Sequence, residues 1–276
     1  MEKIDKRLVS AFMKERDKFS HKGDYGHALL LAGSLGKGGA AVLSARGVLR
    51  AGAGLLTVHI PGRLNNILQS SVPEAMCTLD ANDNHLSVLP SLEGFNAVGA
   101  GPGLGLAPET GSLVSDLIES CRVPLVLDAD ALNIVASRPE LLARMRRDTI
   151  LTPHPGEFDR FAGPHSTREE RIASQKKISR KYGVIIVLKG AGTTISLPDG
   201  EIFENTTGNP GMATGGSGDV LTGIILGMLA QSYTPAQAAI AGVFFHGLAG
   251  DFAAGSKGER SIIATDIVES LPLAFK

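Results

Sequence analysis

Cysteine is scarce in this chain. Cys77 and Cys121 are its only two and lie far apart, too few for a disulfide framework and too few for a zinc site. That scarcity fits a reducing compartment and sets the expectation of a cytoplasmic protein. Charge of one sign is also missing: 27 basic and 28 acidic side chains leave a net charge of −1 with no basic block. Such a balance gives no footing for nucleic acid or for a membrane surface. The N-terminal stretch MEKIDKRLVSAF is charged and lacks an apolar core, so no export signal is expected. Internal repeats, low-complexity linkers and breaks in composition are absent too, which predicts a single domain over residues 1–276.

One absence invites a wrong reading. No Asp, Glu, Lys or Arg occurs between Val220 and Gly250, a run long enough to suggest a membrane span. The polar, proline-containing break from Gln231 to Gln237 divides it into two pieces, each too short to cross. Thr234-Pro235 has the character of a helix N-cap followed by its first residue. Two buried core helices are expected, able to serve either the core or an interface.

What is present describes an ordinary globular chain, 43% hydrophobic and 20% charged. Glycine stands out: 34 of 276 residues, about 12%, against a usual value near 7%. The excess falls beside strand-like runs. Its densest part is NTTGNPGMATGGSGDVLTGIILG, Asn205 to Gly227. Glycines let backbone N–H groups approach a ligand where a Cβ would obstruct them. A helix starting at Ser217-Gly218 would aim its free N–H groups and positive dipole end at the same spot. That is an anion hole, suited to a phosphate or a developing oxyanion. Asp219 would lie in the first helical turn beside it, placed to take a proton from an attacking hydroxyl. The plainer alternative is an N-terminal Asp that only stabilises the helix dipole.

Earlier in the chain, residues 7–18 have the composition of a short polar helix, and His27–Gly33 reads as a buried strand running into a glycine loop. A helix from Ala40 to Arg50 and a strand from Gly54 to Ile60 complete a βαβ unit and predict a parallel sheet. Lys37 has no Ser or Thr after it, so the loop is not a P-loop. A second strand, Asn96–Ala100, ends in Gly101-Pro102-Gly103-Leu104-Gly105, and Leu106 stands where a dinucleotide fingerprint needs glycine. After a helix near 108–120, the strand Val123–Asp128 leads to Asp128 and Asp130, which either face a pocket or cap the next helix. Thr149–Leu151 delivers Thr152-Pro153-His154-Pro155-Gly156-Glu157, where two prolines hold His154 and Glu157 in place, for a ligand or as a turn with a capping Glu. A solvated helix spans 166–181, with Thr167 and Glu170 as a capping box. Val184–Leu188 ends at Lys189-Gly190-Ala191-Gly192-Thr193, which suits phosphates or an adenine edge, or makes only a turn. A hairpin over 194–204 and a last helix near 265–275 complete the pattern. In open α/β sheets ligands bind at the carboxyl ends of strands, where these loops lie.

The segment GNPGMATGGSGDVLTG resembles the signature of the ADP/ATP-dependent NAD(P)H-hydrate dehydratases of the ribokinase-like superfamily, and the resemblance runs from about His27 to Asp266. It implies a three-layer α/β fold, a central largely parallel sheet with helices on both faces. Thr152–Glu157 resembles the family's second signature. Related vitamin kinases carry T-P-N-x-x-E there, with the Glu organising magnesium; here His154 replaces the Asn and Glu157 keeps the Glu. By this resemblance Gly103, a residue at Ala40-Ala41, His154 and Asp219 meet the hydrated dinucleotide. Lys189, Gly190, Ala191, Gly192, Thr193 and Gly218 meet ADP or ATP. Gly216, Ser217 and Gly218 form the anion hole, Asp219 is the base, and Glu157 holds Mg2+ directly or through water.

The implied substrate is NADH or NADPH hydrated across the 5,6 double bond of its ring (NADHX or NADPHX). Asp219 would deprotonate the ring hydroxyl, which attacks the terminal phosphate of ADP or ATP; the phosphate then leaves and restores the double bond. A homotetramer and a separate epimerase as working partner are also implied, since nothing before about residue 20 resembles the epimerase domain that many relatives carry. Two rivals stand beside this reading: a vitamin-precursor kinase of the same fold, and a non-catalytic dinucleotide-binding module.

Overall fold

In the computed structural model, which describes residues 1–276, the apolar runs become one ten-stranded sheet. Its strands are β1 (Glu2–Ile4), β2 (His27–Leu31), β3 (Leu55–Ile60), β4 (Met76–Leu79), β5 (Ala97–Ala100), β6 (Leu125–Leu127), β7 (Ile150–Leu151), β8 (Ile185–Leu188), β9 (Thr194–Ser196) and β10 (Ile202–Asn205). Across the sheet they run β1-β10-β9-β8-β7-β6-β5-β2-β3-β4. Every neighbouring pair is parallel except the two made by β9.

The short strands are apolar throughout because both faces are covered. Alternate residues go to opposite sides. Ala28, Leu30, Val126, Ile185 and Val187 join one core, and Leu29, Leu31, Leu127, Ile186 and Leu188 the other. The helices are α1 (Lys6–Ser10), α2 (Gly38–Arg50), α3 (Asn65–Ser71), α4 (Pro108–Ser120), α5 (Ala129–Ser137), α6 (Pro155–Ala162), α7 (Arg168–Tyr182), α8 (Ser217–Ala230), α9 (Pro235–Lys257) and α10 (Ala264–Ala274). Helices α2, α8, α9 and α10 cover the first face, and α4, α5 and α6 the second. The parallel sheet expected from the strand pattern and the three-layer architecture implied by the family resemblance are both present.

Helix α8 lies closest to α2, and glycine sets that distance. A Cβ on Gly223 would fall 2.1 Å from Ser44 O, and one on Gly47 would fall 2.7 Å from Val220 O. The backbones therefore touch where any side chain would part them. This contact seats the N-terminus of α8 over the carboxyl ends of the central strands.

Three expectations need correction. Helix is confined to Lys6–Ser10 instead of filling 7–18. Short edge strands β1 and β4 were not foreseen, since Glu2–Ile4 and Met76–Leu79 are too short and too exposed to carry a buried-strand pattern. Helix α9 continues past Gly250 to Lys257, so it is 23 residues long rather than a short piece; 67% of its apolar window is buried inside the fold, which makes it a core helix. Thr234 caps it as expected, accepting from Gln237 N–H.

Candidate active site

Three central strands end side by side and each delivers one charged group. β6 leads into Asp128, β7 into the loop carrying His154 and Glu157, and β8 into Lys189. Asp128 occupies the N-cap position of α5 but makes no capping bond with its side chain. Its carboxylate is engaged elsewhere: Lys189 Nζ donates to Oδ1 at 2.7 Å and Thr222 Oγ1 donates to Oδ2 at 2.7 Å. The capping reading of Asp128 is thus excluded: its side chain is buried against Lys189 and Thr222. Asp130 accepts from Lys37 Nζ at 2.9 Å and from Gly105 N–H at 2.8 Å, and so ties the loops after β2 and β5 to α5.

The loop after β7 forms the capped turn, one of its two readings. His154 is the N-cap of α6: the N–H groups of Gly156 and Glu157 donate to Nδ1, and His154 N–H donates to Glu157 Oε2 at 2.8 Å. Glu157 is thereby buried, with Oε2 also 3.9 Å from Lys189 Nζ. The half-exposed His154 ring lines a cavity of about 740 Å3.

The N-terminus of α8 closes the arrangement. Gly216, in the left-handed region at φ 89°, turns the chain into the helix, and no side chain caps its first N–H groups. Apart from the Ser217 N–H, which donates to Thr214 O at 3.4 Å, they are open to a ligand. Lys189 Nζ lies 3.2 Å from where a Cβ on Gly218 would be, so the ammonium sits directly over this helix start. Cation, free N–H groups and helix dipole converge on one point, which is what a phosphate requires.

Asp219, in the first turn of α8, faces the same cluster. Burial pushes its pKa up to about 7; Asp128 adds to the rise, Lys189 opposes it, and Asp130 and Glu157 contribute further. Lys189 is driven the other way: burial works against its charge, but Asp128, Glu157 and Asp219 together raise its pKa above the usual lysine value. The pair is a carboxylate able to accept a proton near neutrality beside an ammonium that stays charged.

Of the residues singled out in the sequence, His154, Lys189, Gly190, Ala191, Gly192, Thr193, Ser217 and Gly218 line the one cavity. Gly103 and Ala40 lie together on another side, where a Cβ on Gly103 would meet Ala40 Cβ at 2.9 Å. Ala41 does not join them: it is 1% exposed and packed in the core, which leaves Ala40 as the available member of the pair. Asp219 is linked to both regions by charge, through Lys189 and Glu157 on one side and Asp130 on the other. Glu157 carries the helix cap as well, and no group of three or more metal-capable side chains is assembled anywhere. The protein supplies no closed metal cage.

His246 was missed from the sequence. It projects from the middle of α9 into the cavity, with Nε2 3.3 Å from Ser217 Oγ. Inside the apolar, charge-free part of α9 before Asp251 it carries no motif that would mark it.

A family model described as NAD(P)H-hydrate dehydratase matches residues 28–273. The bifunctional NAD(P)H-hydrate repair enzyme Nnr of Moorella thermoacetica is 39% identical over 99% of this chain, and the chain spans 54% of that protein's length. The ADP-dependent (S)-NAD(P)H-hydrate dehydratase of Bacillus subtilis is 37% identical, with 97% of this chain and 95% of that one covered. A crystal structure of the ADP/ATP-dependent NAD(P)H-hydrate dehydratase from Bacillus subtilis, co-crystallised with ATP/Mg2+, superposes with a TM-score of 0.88 at 33% identity, covering 99% of this chain and 97% of that one. Solved ribokinase-like structures share the fold. By the match over residues 28–273 and by these relatives, the chain belongs to the NAD(P)H-hydrate dehydratase family.

Proposed function

We propose that this protein dehydrates NADH-hydrate and NADPH-hydrate to NADH and NADPH at the expense of ADP or ATP. The observation that carries the reading is Asp219 beside Lys189 at the open N-terminus of α8, a base with a pKa near 7 next to a phosphate-binding point. Asp219 takes the proton of the ring hydroxyl, and the resulting oxygen attacks the terminal phosphorus of the nucleotide. The P–O bond to the rest of the nucleotide breaks, so ADP becomes AMP, or ATP becomes ADP. Lys189 and the first N–H groups of α8 stabilise the charge on the transferring phosphoryl group, and one such donor is typically worth about 10²–10³ in rate. The phosphate ester is then expelled by the ring-nitrogen lone pair. A neighbouring ring carbon gives up a proton, and the double bond returns. Phosphoryl transfer thus ends in loss of the elements of water.

In this reading the cavity lined by Lys189–Thr193 and Gly218 takes the nucleotide, while Ala40, Gly103 and His154 border the hydrated ring. Magnesium, with which the Bacillus subtilis structure was crystallised, suits a site where phosphate oxygens supply most of the ligands. Glu157 would then act directly through Oε1 or through water, its Oε2 being already bonded to His154 N–H. A companion epimerase activity is supported by the bifunctional naming of relatives about twice this length. The free thiols Cys77 and Cys121 support a cytoplasmic setting. Apolar Met76 and Leu79, exposed on edge strand β4, support self-association into the expected tetramer.

The test is an absorbance assay with purified protein, Mg2+, hydrated NADPH and either ADP or ATP. Nucleotide-dependent growth of the dihydronicotinamide band is expected. No growth, with nucleotide consumed against a thiazole or pyrimidine alcohol instead, would replace this reading with the vitamin-kinase one.

A further inference from the structure

His246 shares the cavity with Lys189, Ser217 and Gly218 but belongs to no motif. It is only 9% exposed. Its Nε2 is 3.3 Å from Ser217 Oγ, and the ring lines the cavity. An imidazole that lines a cavity exchanges hydrogen bonds with whatever fills it.

The surroundings narrow what that is. Ser217 begins α8, at the point where phosphate is favoured. Next to His246 the wall carries apolar Leu221 and Val243 with the polar edges of Asn205 and Thr207, a mixture suited to a nucleoside rather than to a bare anion. We propose that His246 is a binding residue for the nucleoside part of the phosphoryl donor, its Nδ1 accepting a hydrogen bond from a hydroxyl or amine of the nucleoside while Nε2–H donates to Ser217 Oγ. This rests on the phosphoryl-transfer reading given above.

The tautomer follows from the chemistry of the neighbours. A phosphate oxygen beside Ser217 only accepts, so the serine hydroxyl donates to it and must itself accept from the imidazole. Nε2 then carries the proton, and Nδ1 keeps its lone pair toward the cavity. Burial pushes the His246 pKa down to about 4, with Ser217 opposing and Lys189 assisting, so Nδ1 stays an acceptor at neutral pH. One side chain thereby links the nucleoside end of the ligand to the phosphate end.

Calorimetric titration of the intact protein with ADP, ATP and hydrated NADPH, in Mg2+, tests this. In His246→Leu the Kd for the nucleotide is expected to rise about tenfold or more, the size of one lost hydrogen bond to a buried group, while hydrated NADPH keeps its affinity within about twofold. His246→Asn places an amide oxygen near the Nδ1 position and is expected to recover most of the nucleotide affinity. Nucleotide affinity unchanged in His246→Leu, in a protein whose wild type binds and turns over nucleotide, overturns this inference alone. Equal weakening of both ligands also overturns it, since that marks a purely structural role. Should His246→Leu fail to fold, loss of nucleotide affinity in a folded His246→Asn variant would be the overturning result. A wild type that binds neither ADP nor ATP removes the phosphoryl-transfer reading and this inference together.

Discussion

Lys189 Nζ reaches across the end of β7 to lie 2.7 Å from Asp128 Oδ1, joining the loops that follow β8 and β6. Asp128 is 1% exposed and its other oxygen is bonded to Thr222, so the carboxylate cannot turn away. It holds the ammonium over the start of α8 and raises the pKa of Asp219 by its charge. Replacing Asp128 by Asn is expected to lower stability by about 3–5 kcal/mol, because a buried ion loses its partner. It should also move the acid limb of the kcat/KM profile to lower pH, since a charge that raised the Asp219 pKa is gone. An acid limb that stays in place would refute the electrostatic coupling.

Asp219 makes no side-chain hydrogen bond, so Asp219→Asn is expected to keep the fold while turnover falls by about 10²–10⁴, the usual contribution of a general base. The same variant has a stability consequence. The native pKa of Asp219, about 7, lies above its ordinary value of 3.8. The native state therefore binds the proton more tightly, and its contribution to stability is full below pH 3.8 and is lost as pH rises through 7. At pH 8 the Asn variant should be more stable than wild type by as much as about 4 kcal/mol, and so melt higher. Thermal denaturation across pH 5–9 measures this, and a lower melting point for the variant at pH 8 would contradict the burial argument.

Two glycines of α8 should respond differently to the same added methyl group. A Cβ on Gly223 meets Ser44 O at 2.1 Å, whereas one on Gly218 meets only side-chain ends, Lys189 Nζ at 3.2 Å and Asp128 Oδ2 at 3.8 Å. Gly223→Ala is expected to destabilise by about 1–3 kcal/mol or more, as overpacking does. Gly218→Ala should change stability by less than about 1 kcal/mol yet weaken ADP binding, because its Cβ enters the phosphate point. Denaturation and ADP titration on the two variants separate the effects, and similar melting losses in both would count against the packing account.

His154→Asn should fold, since Asn is as good an N-cap as any residue and can accept the bonds that Nδ1 takes from Gly156 and Glu157. What it loses is the reach of the ring into the cavity. Binding of hydrated NADPH is expected to weaken by about 1–2 kcal/mol, with ADP affected less. Equal losses, measured by calorimetry, would reject a role for His154 on the substrate side.

Much of this molecule was readable along the chain because its determinants are local. The apolar runs at 27–31, 125–127 and 185–188 are buried strands wherever they fold, since both of their faces are greasy. The helix start at Ser217, the caps at Thr167 and Thr234 and the hairpin of β9 and β10 each follow from a few adjacent residues. The family signature added the assignment of Asp219 as base.

What tertiary structure alone decided is which distant groups meet. Asp128 finds Lys189 at a separation of 61 residues and Thr222 at 94, and Ser217 finds His246 at 29, through strand order and the approach of α8 to α2. No periodicity encodes such pairings. A pKa near 7 for Asp219 depends on how much water is excluded and how many carboxylates surround it, both properties of the packed site. Sequence set which residues were available for chemistry here; close packing around the ends of three strands gave them their charges, their partners and their direction.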